Sequence, residues 1–209
     1  MGVFFRRFAL AILAAGLPVF AGAAAAATPA ETFVQDSVDR GVQVLTDKSL
    51  SPAEKKAKVE ELLGTIMNTR KLALFCLGNV AKTADPAEVD AFADAFAKFT
   101  MAKYSSQLGD YGGQSLKVTG STDRSPTDHV VTAVLVDPAV PEDPDPVKVL
   151  FRVLDDGGKF GVVDASIAGV WFGMAQRDDI QGFLSTNNND VKKLTERMNE
   201  MTAKLKAGA

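Results

Sequence analysis

Few side chains in this 209-residue chain could perform chemistry, because it contains one histidine and one cysteine. Asp128 and His129 are adjacent and could form half of an acid–base pair. A histidine beside an acid at a strand start is more often an exposed edge residue, and we favour that interpretation. One histidine and one cysteine are too few for a closed zinc site, and the sequence contains no nucleophile elbow or calcium loop. We therefore predict no catalytic residue, no metal and no cofactor.

Two further groups need an interpretation. Cys76 lies in the apolar run 72–77, which favours buried, inert packing; a reactive thiol would need nearby cations or a helix start. Asp164 is the only acid that could serve an enzyme with an apolar substrate as a general acid–base group. We prefer an ion pair between Asp164 and Arg177, which would fix the junction between a strand and the following helix. The enzyme stays open as an alternative.

That junction is the most informative segment of the chain. A strand-like stretch (160–166) leads to a helix-like stretch (172–184) through Ile167, Val170 and Trp171, the only tryptophan. Apolar side chains at such a position favour packing or the wall of a binding site over chemistry. Ordinary core packing is the competing interpretation for Trp171.

The elements that position these residues follow from the hydrophobic periodicity. Spacing of three and four predicts helices over 31–46, from 52, over 70–77, from 86 to about 108 and over 190–206, and alternation predicts strands over 115–121, 129–136, 147–154 and 159–166. Residues 155–158 predict a hairpin turn, and 137–146 a solvated loop. We predict an α+β domain, with N-terminal helices, a curved four-stranded antiparallel sheet and C-terminal helices around an apolar cavity. The last helix is expected to dock by one narrow apolar stripe.

The amino terminus predicts export. Arg6 and Arg7 precede an apolar stretch (8–20) and a run of alanines (23–27), which is the order of a secretory signal peptide. Cleavage after Ala27 would leave a single domain over 28–209; an uncleaved anchor helix is the alternative. Loss of the two arginines changes the formal net charge from −3 to −5, because 21 Lys and Arg then face 26 Asp and Glu. No basic stripe remains, so nucleic acid is not an expected partner.

Several motifs resemble those of the MlaC, or toluene-tolerance, family of periplasmic phospholipid-binding proteins. The resemblance covers about 28–197 and depends on Leu50-Ser51-Pro52 with Glu54, Leu77-Gly78, Phe92, Phe96, Tyr104, Leu108, Tyr111-Gly112-Gly113, Asp164, Gly169-Val170, Arg177 and Phe183. The chain departs from the family at Trp171-Phe172, where many members have serine and leucine. It departs again at Asn79-Val80, where many have an aromatic residue.

The resemblance implies a soluble, monomeric periplasmic carrier that shuttles phospholipid between outer and inner membrane for an ABC-type transport system. Implied partners are an inner-membrane MCE-domain/ABC transporter complex and an outer-membrane lipoprotein–porin complex. A hopanoid or sterol-like lipid is an alternative cargo. A structural envelope protein with a filled core is a third interpretation.

The aromatic content alone does not distinguish a cavity from a filled core. The family resemblance favours the cavity. Nine of the 13 phenylalanines remain after removal of the signal peptide, most of them at core spacing. We predict that Trp171 and Phe172 border the lipid cavity, with one of them facing inward. The predicted lipid-binding residues are Phe75, Phe92, Phe96, Phe99, Tyr104, Val131, Leu135, Val149, Phe151, Val163, Ile167, Val170, Trp171 and Phe172.

Overall fold

A computed structural model describes residues 26–105 and 111–207. The helices are α1 (Pro29–Thr46), α2 (Pro52–Ile66), α3 (Thr69–Leu77), α4 (Val80–Thr83), α5 (Pro86–Ser105), α6 (Phe172–Thr186) and α7 (Val191–Ala207). The strands are β1 (Ser115–Ser125), β2 (Asp128–Val136), β3 (Lys148–Asp156), β4 (Lys159–Ile167) and β5 (Val170–Trp171). The predicted signal peptide lies outside the described residues except for the exposed Ala26 and Ala27, and so does Leu108. None of the described helices is long and apolar enough to cross a membrane.

Capping motifs set the starts of the first two helices. Thr28 and Glu31 form a capping box at α1, and Ser51 and Glu54 form the one predicted at α2, each followed by a proline in the first turn. α3 ends at Gly78, whose φ of 56° is a left-handed conformation that glycine adopts without steric cost. The predicted helix boundaries that fall on described residues are confirmed within a few residues, whereas the predicted end of α5 near 108 lies outside them. The short α4 was not predicted.

The sheet is an antiparallel meander in the order β1-β2-β3-β4-β5. The α+β class is confirmed, but the predicted count of four strands is wrong by one. Ala168 and Gly169 have φ values of 49° and 84°, so the chain reverses in two residues and Val170 and Trp171 pair with the end of β4. The predicted hairpin between β3 and β4 is confirmed, and the 137–146 loop is largely exposed.

The two faces of the sheet differ in what they contact. Val131, Val153 and Val162 are buried together with Ala30 and Val34 of α1, and we call this side the covered face. Side chains alternate between faces along a strand, so the opposite side carries the residues that lie between those positions. This open face contains the partly exposed Val130, Thr132, Val134, Leu150, Arg152 and Leu154.

A second apolar cluster lies among α3, α5, α6 and α7. We call it the helical core, and its most completely buried large side chains are Leu77, Phe92, Phe96, Ile180, Leu184, Leu194 and Met198. α7 contributes through the predicted stripe, of which Val191, Leu194 and Met198 are buried and Met201 and Leu205 half-buried. The prediction that α7 docks by one stripe is confirmed.

Candidate functional site

The open face is a largely apolar surface over which the described residues form no complete second layer. α1 provides the principal helix contacts of β1, β2 and β3, and it lies on the covered face; α3 and α6 contact the sheet at β4. In the centre of the open face, Leu150 lies between Thr132 of β2 and Ser166 of β4, and Trp171 of β5 continues the same row. The cover is partial, because Ser166 is fully buried whereas Thr132, Leu150 and Trp171 keep some exposure. A largely apolar sheet face with partial cover is typical of a ligand-binding surface.

A concave site adjoins the open face where α3 approaches β3 and β4. It has a volume of about 210 Å³ and is lined by Lys71, Leu72, Phe75, Arg152, Leu154, Val163 and Asp164. We call it the α3 cleft. A β-bulge in β4, between the partners of Arg152 and Val153, turns the adjacent Val163 and Asp164 toward the same site.

Asp164 fixes the start of α6. Its Oδ1 accepts hydrogen bonds of 2.8 Å from the backbone N–H groups of Ala165 and Gly173. The N-cap residue of α6 is Trp171, which provides no side-chain acceptor, so Asp164 supplies the missing cap from the neighbouring strand. Burial raises the pKa of this carboxyl, and the two N–H donors oppose that shift.

Gly173 is required by this contact. A Cβ atom at that position would lie 2.6 Å from Oδ2 of Asp164 and 2.9 Å from Cδ1 of Leu72. Both distances are far inside normal van der Waals separation. Glycine therefore lets the first turn of α6 approach both the strand and α3.

Arg177 does not form the predicted ion pair with Asp164. No nitrogen of Arg177 lies within 4.0 Å of an Asp164 oxygen, and Arg177 instead donates to the backbone carbonyl of Phe75. Its guanidinium carbon lies 4.9 Å from the centre of the Phe75 ring. The prediction failed because the last carbonyls of a helix have no partners within it and attract cationic donors.

Gln181 completes the cap of α3 and was missed in the sequence. Its Nε2 donates to the carbonyls of Cys76 and Leu77, at 2.7 and 2.9 Å. A Cβ atom at Gly78 would lie 2.9 Å from Nη2 of Arg177, so glycine leaves space for the guanidinium. The spacing of four between Arg177 and Gln181, one turn on a single helix face, was the available signal.

Asp128 and His129 do not act as a pair. Asp128 accepts hydrogen bonds from Nε and Nη2 of Arg152, at 3.1 and 2.9 Å, and these bonds lower the pKa of its carboxyl. Nδ1 of His129 lies 2.6 Å from Oδ1 of Asp123 on the adjacent strand. The histidine side chain is 15% exposed, so its prediction as an exposed edge residue is wrong.

The environment of Cys76 confirms the prediction of a buried thiol. The residue has no exposed surface, and burial raises its pKa to about 12, with a further contribution from the charge of Asp164. Burial also raises the pKa of Tyr104. Both groups are therefore protonated at neutral pH, so neither is an activated nucleophile. Among residues 26–105 and 111–207, no group of three His, Cys, Asp or Glu side chains could hold a metal ion.

The predicted lining residues occupy separate places. Phe75 and Val163 line the α3 cleft, and the half-buried Trp171 lies on the open face next to Ser166. Phe172 contacts Tyr104 edge to face, with ring centres 6.1 Å apart. The others lie elsewhere: Phe92, Phe96 and Phe99 in the helical core, Val131, Leu135, Val149 and Phe151 on the covered face, and Ile167 and Val170 exposed at the β4–β5 turn.

This arrangement defines a class: an α+β binding domain with an apolar sheet face and a small charged cleft at its edge. Residues 35–200 match the family that is described as MlaC protein, so the chain belongs to the MlaC family. A solved structure described as the phospholipid-binding protein from Ralstonia solanacearum in complex with a phospholipid has a similar fold, with a TM-score of 0.71 and 20% sequence identity. The similarity covers 84% of this chain and 98% of that one. No curated protein matches the sequence.

Proposed function

We propose that this protein is a lipid carrier that binds the acyl chains of a phospholipid against the open face. The observation that supports this most strongly is that Leu150 and Trp171 lie in one row of the open face, which no described helix fully covers. Membership of the MlaC family supports it further, as does the fold shared with a protein described as phospholipid-binding. The protonated Cys76 and the helix-capping role of Asp164 favour binding over catalysis.

The free energy of hydration explains why a carrier is needed. An acyl chain of about 16 methylenes exposes apolar surface worth about 0.8 kcal/mol per methylene, or roughly 13 kcal/mol, when it crosses water. A protein that covers the chain and leaves the head group near water removes most of that barrier. Such a site needs apolar walls and few polar atoms.

The cellular setting of this carrier is part of the proposal. Residues 1–27 have the pattern of a signal peptide, so the mature protein would be a soluble periplasmic monomer of residues 28–209. It would exchange phospholipid between an outer-membrane lipoprotein–porin complex and an inner-membrane MCE-domain/ABC transporter complex. This setting rests on the family resemblance, and it would contribute to the lipid asymmetry of the outer membrane.

Native mass spectrometry of the protein purified from its own periplasm, followed by lipid extraction, tests the proposal. We expect a co-purified phospholipid, and uptake of phospholipid by stripped protein from vesicles. Leu150→Asp on the open face should reduce uptake strongly. Val140→Asp, in the exposed 137–146 loop, is the matched control and should retain it. Recovery of protein without lipid, together with no uptake from vesicles, would contradict the proposal of a lipid carrier. A polycyclic lipid in the extract would support a carrier of that lipid instead of phospholipid.

A further inference from the structure

The α3 cleft is small for an acyl chain and combines four apolar lining residues with three charged ones. Its 210 Å³ falls below the roughly 300–1,000 Å³ of sites that enclose a whole drug-sized ligand. Three of its seven lining residues are charged, namely Lys71, Arg152 and Asp164. Hydrocarbon in this cleft would remove water from those charges without replacing its hydrogen bonds. A small polar group fits the lining better.

The cationic side of the cleft is held in place and keeps a free donor. Nε and Nη2 of Arg152 are occupied by Asp128, which leaves Nη1 without a partner among the described residues. Nζ of Lys71 lies 3.6 Å from Asp156, in an ion pair whose two side chains are 45% and 80% exposed. Exposed pairs of this kind are weak, so the ammonium group is available to a ligand. Guanidinium and ammonium groups together are suited to a phosphate.

The anionic side carries a carboxylate oxygen without a partner. Asp164 lies directly across from Arg152 in the β3–β4 register, yet it forms no ion pair within 4.0 Å with any described residue. Both of its hydrogen bonds are accepted by Oδ1, and Oδ2 accepts none from the described part of the chain. Arg152 acts on this half-buried carboxylate electrostatically, but no described cation lies in direct contact with it. A cationic donor at Oδ2 would therefore stabilise it.

From this juxtaposition we infer that the α3 cleft binds a phosphoethanolamine group, with its phosphate at Arg152 and Lys71 and its primary ammonium at Asp164. The inference rests on the proposed function and adds the head-group class of the lipid. Leu154 lines the cleft and lies on the open face, so acyl chains attached to the group would continue along that face. Charge predicts a preference for phosphatidylethanolamine over phosphatidylglycerol, because the head group of phosphatidylglycerol has no cation to pair with Asp164.

The test is competitive uptake by stripped protein from vesicles that contain equal amounts of phosphatidylethanolamine and phosphatidylglycerol, with extracted lipids quantified by mass spectrometry. We expect about tenfold enrichment of phosphatidylethanolamine. Asp164→Asn should reduce the enrichment to about twofold or less while total uptake persists. Asp179→Asn, on the exposed side of α6 where Asp179 pairs with Arg197, is the matched control and should retain the enrichment.

Two measurements keep the test decisive if Asp164→Asn does not fold. Wild-type protein should also prefer phosphatidylethanolamine over phosphatidylcholine, whose quaternary ammonium has no N–H donor. Lys71→Gln should reduce uptake of phosphatidylethanolamine severalfold. Equal uptake of all three lipids would overturn the head-group inference and leave the carrier intact, whereas no uptake of any lipid would overturn the carrier and the inference with it.

A final arm identifies the source of the phosphoethanolamine group. Glycerophosphoethanolamine without acyl chains is added to the uptake assay at millimolar concentration, with glycerophosphoglycerol as its control. Competition by the first compound alone supports a cleft that recognises the group whether free or lipid-borne. Selective uptake without such competition supports recognition only as part of a lipid. Equal inhibition by both compounds would contradict the assignment.

Discussion

The helical core and the open face of the sheet are both built from apolar side chains, yet they differ in what surrounds them. Phe92 and Phe96 have almost no exposed surface because α3, α5, α6 and α7 enclose them. Leu150 and Val134 are partly exposed because the helix that packs on β2 and β3 lies on the other face. Apolar content alone therefore does not distinguish a stabilising core from a binding surface. The distinction depends on whether other elements pack over the apolar side chains.

The largest expected loss of stability comes from a substitution in the helical core. Phe96→Ala should lower the free energy of unfolding by about 3–5 kcal/mol, because a buried aromatic ring leaves a cavity. Leu150→Ala on the open face should lower it by only about 1–2 kcal/mol, because part of the side chain already contacts water. Urea unfolding followed by circular dichroism measures both. Equal losses would show that the open face is as fully packed as the core.

A smaller effect is expected where the two regions meet. Gly173→Ala should destabilise the protein by about 1–3 kcal/mol, because the new methyl group would collide with Asp164 and Leu72. Gly182→Ala lies in the same helix with no atom within 4 Å of the added Cβ, and it should be neutral or stabilising by up to about 1 kcal/mol. Thermal melting compares them. A neutral Gly173→Ala would mean that α6 does not hold its close approach to β4.

Arg177→Ala should cost about 1–2 kcal/mol, because it removes one cap and one ring contact of α3. A double-mutant cycle between Arg177 and Phe75, using Phe75→Leu, should give a coupling of about 0.5–1 kcal/mol. The same cycle between Arg177 and Asp164, using Asp164→Asn, should give a coupling near zero. A large Arg177–Asp164 coupling would restore the ion pair that the sequence predicts.

The smallest effect on stability concerns Trp171 on the open face. Removal of bound lipid should shift the fluorescence of this single tryptophan to longer wavelength, because the half-buried indole then meets more water. Trp171→Ala should change the composition of the extracted lipids more than it changes the melting temperature. An unchanged lipid composition with a large loss of stability would assign Trp171 to the core.

Local signals in the sequence predicted most of the fold. The capping box at Ser51 and Glu54 and the glycine pair after β3 act within a few residues, so the sequence contains all the information that they need. The stripe of α7 was also readable from its spacing of three and four. Contacts between distant segments were not readable, since no pattern marks which carbonyls Arg177 reaches.

The candidate site was only partly predictable for the same reason. Phe75, Val163 and Asp164 were singled out in the sequence and meet at the α3 cleft. Arg152 and Lys71 were missed, because a charge on a strand or helix looks like a solvated residue until the fold places it opposite another element. The phenylalanines of α5 follow a periodicity that a core and a cavity wall share, and the structure places them in the core.

The cap on α3 has a consequence for the order of folding. Phe75 is separated from Arg177 by 102 positions, and Cys76 from Gln181 by 105. A chain emerging from its amino terminus therefore presents α3 long before its last carbonyls find their donors. Contacts of such large sequence separation form slowly, so the helical core is completed only when the chain is almost finished. A chain truncated before α6 would thus weaken a helix a hundred residues upstream of the cut.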